Sequence, residues 1–277
     1  MASFRNHVSI GLILDNKLIG VFVKNLFFLI TLLALNYASA SEIQYTVQHL
    51  KLEKFDTTGW EHDLMAKTNF SQNLTAGFEG SYVERYSLYD KTYGGFLGYR
   101  FNEKFYGEAH YNQGIGNKIL TERQSTLVGY FSLFEGITPF VYLRDSRYSD
   151  TKVQSFTLGS EIEKWPHILL VPQAMIGKAK FKSDSTSETI WSVGLKAIYY
   201  TEDKFSLFAY GSNGVEASQS IVGEVASNQG IHTLTGGVGG SYNIVKDFKA
   251  ELSIDHTNYH ELHDQYITTT LNLSYKF

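Results

Sequence analysis

The sequence predicts an all-β protein, a closed antiparallel transmembrane β-barrel of fourteen strands, with twelve or sixteen as the neighbouring counts. Three observations predict it. Segments alternate apolar and polar residues at the strand period of two over most of the chain, so that each has one apolar and one polar face. Every other connection between them is tight and bracketed by large apolar, mostly aromatic residues. The chain stops on such a strand: Ile267, Thr269, Leu271, Leu273, Tyr275 and Phe277 share a face. No segment of similar length repeats at the 3.6-residue period of an amphipathic helix.

The N-terminal segment is read separately. Lys24 precedes the apolar run Leu26 to Leu35, which leads into Ala38-Ser39-Ala40, the order of a cleavable signal peptide. The run is too short for a transmembrane helix, which needs about 20 apolar residues. Residues 1–40 are therefore expected to be a signal peptide cleaved after Ala40, and 41–277 the barrel. The translation start is ambiguous, because Asp15 and Lys17 fall within a long leading stretch.

Without that segment Lys+Arg falls from 24 to 21 and Asp+Glu from 28 to 27, so the formal charge moves from −4 to −6. This balance excludes the basic footprint of a nucleic-acid binder. An exported chain with no cysteine needs another source of stability. A sheet closed on itself supplies it, and 19 Tyr, 19 Phe and 24 Gly against 3 Pro suit one.

The fourteen alternating segments lie near 43–53, 60–70, 74–86, 93–101, 105–112, 121–133, 137–147, 153–165, 168–181, 189–200, 205–211, 231–242, 248–257 and 265–277. Two are especially regular. Trp191, Val193, Leu195, Ala197 and Tyr199 alternate with Ser192, Gly194 and Lys196, and Phe248, Ala250, Leu252 and Ile254 alternate with Lys249, Glu251, Ser253 and Asp255. The tight connections follow Phe70, Phe101, Phe134, Trp165, Tyr200 and Tyr242. The intervening ones, such as Arg144–Lys152, Lys182–Glu188, Gly211–Gly230 and Asn258–Asp264, are polar and expected to be longer. Short turns at one rim, longer loops at the other and aromatic girdles are features of bacterial barrels. They place both termini on the periplasmic side, and a terminal Phe277 fits the signal read by the barrel-assembly machinery.

The chain resembles the YaiO-type outer-membrane β-barrel family. The residues that carry the resemblance are Tyr142-Leu-Arg-Asp-Ser-Arg-Tyr148 before a fresh strand at Val153, Gly211-Ser-Asn-Gly-Val-Glu216, and the final Leu273-Asn-Leu-Ser-Tyr-Lys-Phe277. The resemblance implies an outer-membrane barrel of this size in contact with outer-membrane lipid. It carries over no activity and no functional residue.

Alternation assigns Glu61, Asp63, Lys67, Arg85, Arg100, Glu108, Arg144, Glu161, Lys196, Lys249, Glu251 and Asp255 to the inward face, as lumen-lining candidates. Charge on the lipid face costs ~2–4 kcal/mol for Lys or Arg at the midplane, which itself argues for an inward position. These charges either line a passive channel for small polar solutes or pair across strands and fill the barrel. Fourteen strands fall between the eight that close on packed side chains and the sixteen to eighteen that leave an aqueous channel.

A metal site and two further classes of function are weighed beside the channel. The loop cluster Asp255, His256, His260, Glu261, His263 and Asp264 makes His256, His260 and His263 metal candidates, but the spacing matches no closed zinc site and a solvated loop is simpler. No cofactor is implied. A barrel enzyme acting on lipid or peptide at the outer rim requires a nucleophile with a base in reach. His62, His110, His167 and His232 lie on different segments and no Gly-x-Ser-x-Gly elbow occurs. A closed accessory barrel, binding a partner or polysaccharide through its outer loops, is the third class.

Overall fold

The computed structural model describes residues 41–52, 57–85, 88–114, 116–118, 120–182, 185–201, 204–217, 230–260 and 264–277. These form β1 (Ser41–Leu52), β2 (Thr57–Asn69), β3 (Leu74–Arg85), β4 (Leu88–Asn102), β5 (Phe105–Gly114), β6 (Arg123–Phe131), β7 (Ile137–Arg147), β8 (Thr151–Trp165), β9 (Ile168–Phe181), β10 (Ser187–Tyr200), β11 (Phe205–Ala217), β12 (Gly230–Val245), β13 (Phe248–Tyr259) and β14 (Asp264–Lys276). Each strand pairs antiparallel with its sequence neighbours, and β1 pairs with β14 from Glu42↔Lys276 to Leu52↔Tyr266. The ring is thereby closed. Closure satisfies the strands' backbone groups and leaves no edge, the condition for crossing hydrocarbon with strands.

The expected fourteen strands are all present, but their ends differ from the sequence reading at one rim. β4 begins at Leu88 rather than Tyr93, and β11 continues to Ala217. The connection expected at Arg144–Lys152 shrinks to Tyr148–Asp150, because β7 runs to Arg147 and β8 starts at Thr151. The cause is that strand pairing needs only backbone groups, so the ladder continues after the apolar alternation has stopped. The connections at 86–87 and 148–150 are thus as tight as those of the opposite rim, whereas the two longest in the barrel, at 115–122 and 218–229, are both at this one. Of the connection expected at Gly211–Gly230, positions 218–229 lie outside the described residues, as does the proposed signal peptide.

Two rims can be told apart. The turn rim holds the tight connections, including Glu103–Lys104, Pro166–His167 and Lys246–Asp247, and the paired ends of β1 and β14. Aromatic residues bracket it on the outside: Phe101 stacks on Phe105, and Phe105 on Phe131, at 4.8 and 5.0 Å. Register irregularities occur in β4–β5, β8–β9 and β12–β13 close to these turns, where a bulge lets a tight hairpin follow the barrel's twist. The opposite, loop rim joins β1 to β2, β3 to β4 and so on.

The two faces separate as alternation requires. Leu127, Leu143, Phe156, Ile176, Leu207, Leu252 and Leu271 are exposed on the outer face. So contiguous an exposed apolar band marks a surface that meets something other than water. The buried hydrophobic residues lie inside, concentrated towards the loop rim: Leu50, Val83, Ala179, Phe181, Ile190, Ile231, Tyr259 and Tyr266. Phe181, Ile190 and Ala179 cluster there with Val153 and Met175.

Candidate functional site

The inward face divides into three zones. On β1–β5 it carries a chain of paired charges. Glu42 on β1 meets Lys67 on β2 at 3.1 Å, and Glu61 on β2 meets Arg85 on β3 at 2.6 Å. Further round the wall His110 on β5 is held between two carboxylates, with Nε2 3.0 Å from Glu108 Oε2 and Nδ1 3.4 Å from Glu79 Oε1. The Tyr106 hydroxyl donates to Glu108 at 2.7 Å, and the Arg100 guanidinium lies 5.9 Å from the Tyr106 ring centre.

Glu79 belongs to β3 and His110 to β5, so this contact crosses β4. Register explains how: Glu79 is opposite Gly94, and Gly94 is opposite Asn112. A side chain at position 94 would run into Asn112 and the Tyr111 carbonyl, so only glycine leaves the passage open. Phe96, the next inward residue of β4, stacks on the His110 ring at 4.9 Å. With a carboxylate at each ring nitrogen, His110 braces three strands. Neither nitrogen is left to take a proton from a nucleophile, as a general base must.

The wall from β9 through β14 to β1 is built differently. Gln48, Gln173, Lys196, Tyr210, Ser212, Thr235, Asp255, Thr257, Thr268 and Thr270 are among the residues around a cavity of about 610 Å³. Tyr210 donates to Asp255 across Gly237, and Lys196 sits 4.3 Å from the Phe208 ring centre. Aromatic rings repeatedly lie flat where the neighbouring strand has glycine: Phe96 over Gly77, Phe140 over Gly159 and Phe208 over Gly239. A ring laid over glycine fills the space that a side chain would otherwise occupy and keeps bulk off the axis. At the turn rim a second cavity of about 290 Å³ is lined by Glu42, Gln44, Lys249, Glu251, Asn272, Ser274 and Lys276, with Lys249 3.5 Å from Glu251.

The loop rim is the third zone, where inward side chains are packed rather than solvated. Val83 and Ala179 are 0% exposed, Ile231 2%, Phe181 and Ile190 4%. Asp90 on β4 accepts from the Lys118 and Leu120 backbone N–H groups at 2.8 Å each, and Asn117 donates to the Lys91 and Thr121 carbonyls at 3.0 Å. These bonds hold the β5–β6 connection against β4.

The twelve lumen-lining candidates are distributed as follows. Glu61, Lys67, Arg85, Glu108, Lys249 and Glu251 are in the ion pairs above, and Asp255 is bound by Tyr210. Asp63 is opposite Ser81 and Glu161 opposite Thr138. Arg100, Arg144 and Lys196 form no ion pair among the described residues; Arg144 is exposed on a face shared with Thr126 and Ser155. Sequence reasoning missed Glu42, Glu79 and Tyr210, and named His110 only among histidines scattered over different segments. Glu79 and His110 are on the polar faces of alternating segments and were findable individually, although their meeting across a third strand was not.

The metal candidates are not brought together. His256 is on the outer face, bonded to Gln265 at 2.8 Å, while Asp255 points the other way. His260 follows the end of β13, where its backbone N–H donates to the His232 carbonyl at 3.1 Å. His263 and Glu261 lie outside the described residues. Among the described residues no group of three His, Cys, Asp or Glu side chains is placed to hold a metal ion.

The sequence matches no protein-family model and no curated protein. Solved structures are similar nonetheless. A bacterial polysaccharide outer membrane secretin superposes at TM-score 0.55 with 11% identity, over 87% of this chain and 100% of the other. OmpT lacking loop L8, an outer membrane protein of Vibrio cholerae, gives 0.53 with 9% identity over 86% and 100%. An anion-selective porin from Comamonas acidovorans gives 0.50 with 9% identity over 86% and 98%. The fold is that of outer-membrane β-barrels. At these identities the likeness extends no further than fold.

Proposed function

We propose that this chain is an integral outer-membrane β-barrel that passes small polar solutes, with a narrowed mouth at its loop rim and both termini in the periplasm. One observation carries the reading: below the packed loop rim, the inward face from β9 round to β1 leaves cavities of about 610 and 290 Å³ lined mostly by polar side chains. A barrel filled for stability alone would pack those levels as it packs the loop rim. The paired charges leave neither sign dominant, so transport should discriminate by size more than by charge. The resemblance to YaiO-type barrels supports an outer-membrane address, with residues 1–40 as signal peptide and the strand ending at Phe277 as the handle for barrel assembly.

Conductance in a planar bilayer tests the proposal. Wild-type protein should give small steps, and Phe181→Ala combined with Ile190→Ala should give larger ones, since both side chains narrow the loop rim. Absence of steps from both, with the barrel folded by its heat-dependent gel shift, overturns the channel. Steps from the variant alone would favour a second reading, a closed accessory barrel, for which the packed loop rim is the supporting observation.

A further inference from the structure

The outer surface of β6–β9 carries a row of like charges at the loop rim. Arg123 on β6 is directly opposite Arg147 on β7, Arg147 opposite Lys152 on β8, and Lys152 opposite Lys180 on β9. One step towards the turn rim on the same face, the row reads Ser125, Asp145, Gln154 and Lys178. One step further it reads Leu127, Leu143, Phe156 and Ile176, all exposed. Successive rows on one face are separated by two residues, roughly 6.6 Å along a strand.

Like charges directly opposite each other destabilise a sheet. Five cations in two adjacent rows therefore need anions. Among the described residues the one ion pair they make is Lys152 with Asp145 at 2.9 Å, and Asp145 also accepts from Gln154 at 2.8 Å. The feature is confined to one arc. Elsewhere at this end of the outer face cations are isolated: Lys51 on β1 is opposite Ile267 and Thr58, Lys91 on β4 is opposite Tyr82, and β10 presents Ser187 and Thr189.

We infer that this arc binds phosphate-bearing lipid headgroups of the leaflet at the loop rim, with the acyl chains lying on Leu127, Leu143, Phe156 and Ile176. The inference rests on the membrane-spanning reading proposed above. Charge complementarity selects the occupant: a guanidinium–guanidinium–ammonium–ammonium row suits several phosphate oxygens, and Arg offers them two parallel donors where Lys offers a point charge. The apolar rows immediately below set the depth of a headgroup whose tails continue downward. A soluble polyanion would gain nothing from that second feature.

The test is lipid retention by native mass spectrometry of the full-length folded protein in detergent, with phosphatidic acid and phosphatidylcholine as probes. Wild type should retain phosphatidic acid in preference to phosphatidylcholine, and inorganic phosphate at equal concentration should not displace it. Each cation removed should weaken retention about fivefold, from the roughly 1 kcal/mol that a basic residue near a charged leaflet contributes. Arg123→Gln, Arg147→Gln, Lys152→Gln and Lys180→Gln together should abolish the preference, whereas Lys51→Gln with Lys91→Gln should leave it intact. If the fourfold variant fails to fold, Arg147→Gln and Lys180→Gln singly carry the test. Equal retention by wild type and folded variants, or equal retention of the two lipids, overturns the inference. Flotation with liposomes separates this from failure of the membrane reading: a protein that does not insert refutes the latter, and one that inserts without phosphate preference refutes only the lipid site.

Discussion

Gly94 lies on β4 between Glu79 on β3 and Asn112 on β5, where the sheet leaves no room for a side chain. A methyl group there would overlap the Asn112 side chain and the Tyr111 carbonyl, and the backbone carbonyl cannot swing away as a side-chain end could. A methyl group at Gly80, on the neighbouring strand β3, would come 3.4 Å from the Thr92 carbonyl, an ordinary contact. Gly94→Ala should therefore destabilise the barrel by about 1–3 kcal/mol, the usual cost of overfilling a packed site. Gly80→Ala should cost under about 0.5 kcal/mol, as surface substitutions do. Urea unfolding in liposomes, followed by Trp60, Trp165 and Trp191 fluorescence, distinguishes them; equal midpoints would show that the passage through position 94 carries no weight. The Glu61–Arg85 pair is the other residue-scale determinant. Both side chains are mostly buried, at 18% and 13% exposed, and the 2.6 Å contact is within charge-assisted range. A double-mutant cycle with Glu61→Gln and Arg85→Gln should give a coupling of about 1.5–3 kcal/mol, the range for hydrogen bonds to charged groups. A coupling near zero would mean that water screens the pair.

A strand in this fold has two surfaces that obey opposite rules, and β13 shows the contrast within one step. Leu252 is exposed on the apolar outer face and Ser253 faces the cavity of about 610 Å³. Leu252→Arg should cost about 2–4 kcal/mol if it is at the midplane, and Ser253→Arg far less. Comparable losses in refolding yield and unfolding free energy in liposomes would remove the lipid-facing assignment of the outer surface. This two-sidedness is also why so much of the fold is legible in the sequence: Trp191 to Tyr199 and Phe248 to Asp255 each declare period and facing within eight or nine residues. The ends of strands are less legible. Leu88-Tyr-Asp-Lys-Thr92 extends β4 with polar residues on both faces, where the hydrophobic signal has gone and only backbone pairing remains. Inward charges follow from parity, whereas their partners do not. Parity places Glu61 and Arg85 on one face, but choosing Arg85 over Lys67 for Glu61 takes the register, and choosing His110 for Glu79 takes a glycine on the strand between.

For the whole molecule, stability without cysteine depends on one seam. Thirteen of the pairings are hairpins that local turns can register, whereas β1–β14 joins segments at opposite ends of the chain and carries the largest loop-closure entropy. Closure of this seam should therefore come late in folding and decide whether the barrel resists detergent. The absence of native cysteine makes the seam directly testable. Thr46 is opposite Asn272 and Val47 opposite Leu271. Consecutive antiparallel pairs alternate between hydrogen-bonded positions and closer non-hydrogen-bonded ones near ~4.5 Å in Cα separation, so one of the two pairs offers the better geometry for a disulfide. Cysteines at 46 and 272, or at 47 and 271, should crosslink under mild oxidation in at least one case, and only in the band that runs as folded without heating. The crosslinked chain, boiled without reductant, should migrate as a compact circular species. Failure of both pairs to crosslink in the folded band would mean that the sheet does not close between β1 and β14, and an inside with its own cavities would then have no wall on that side.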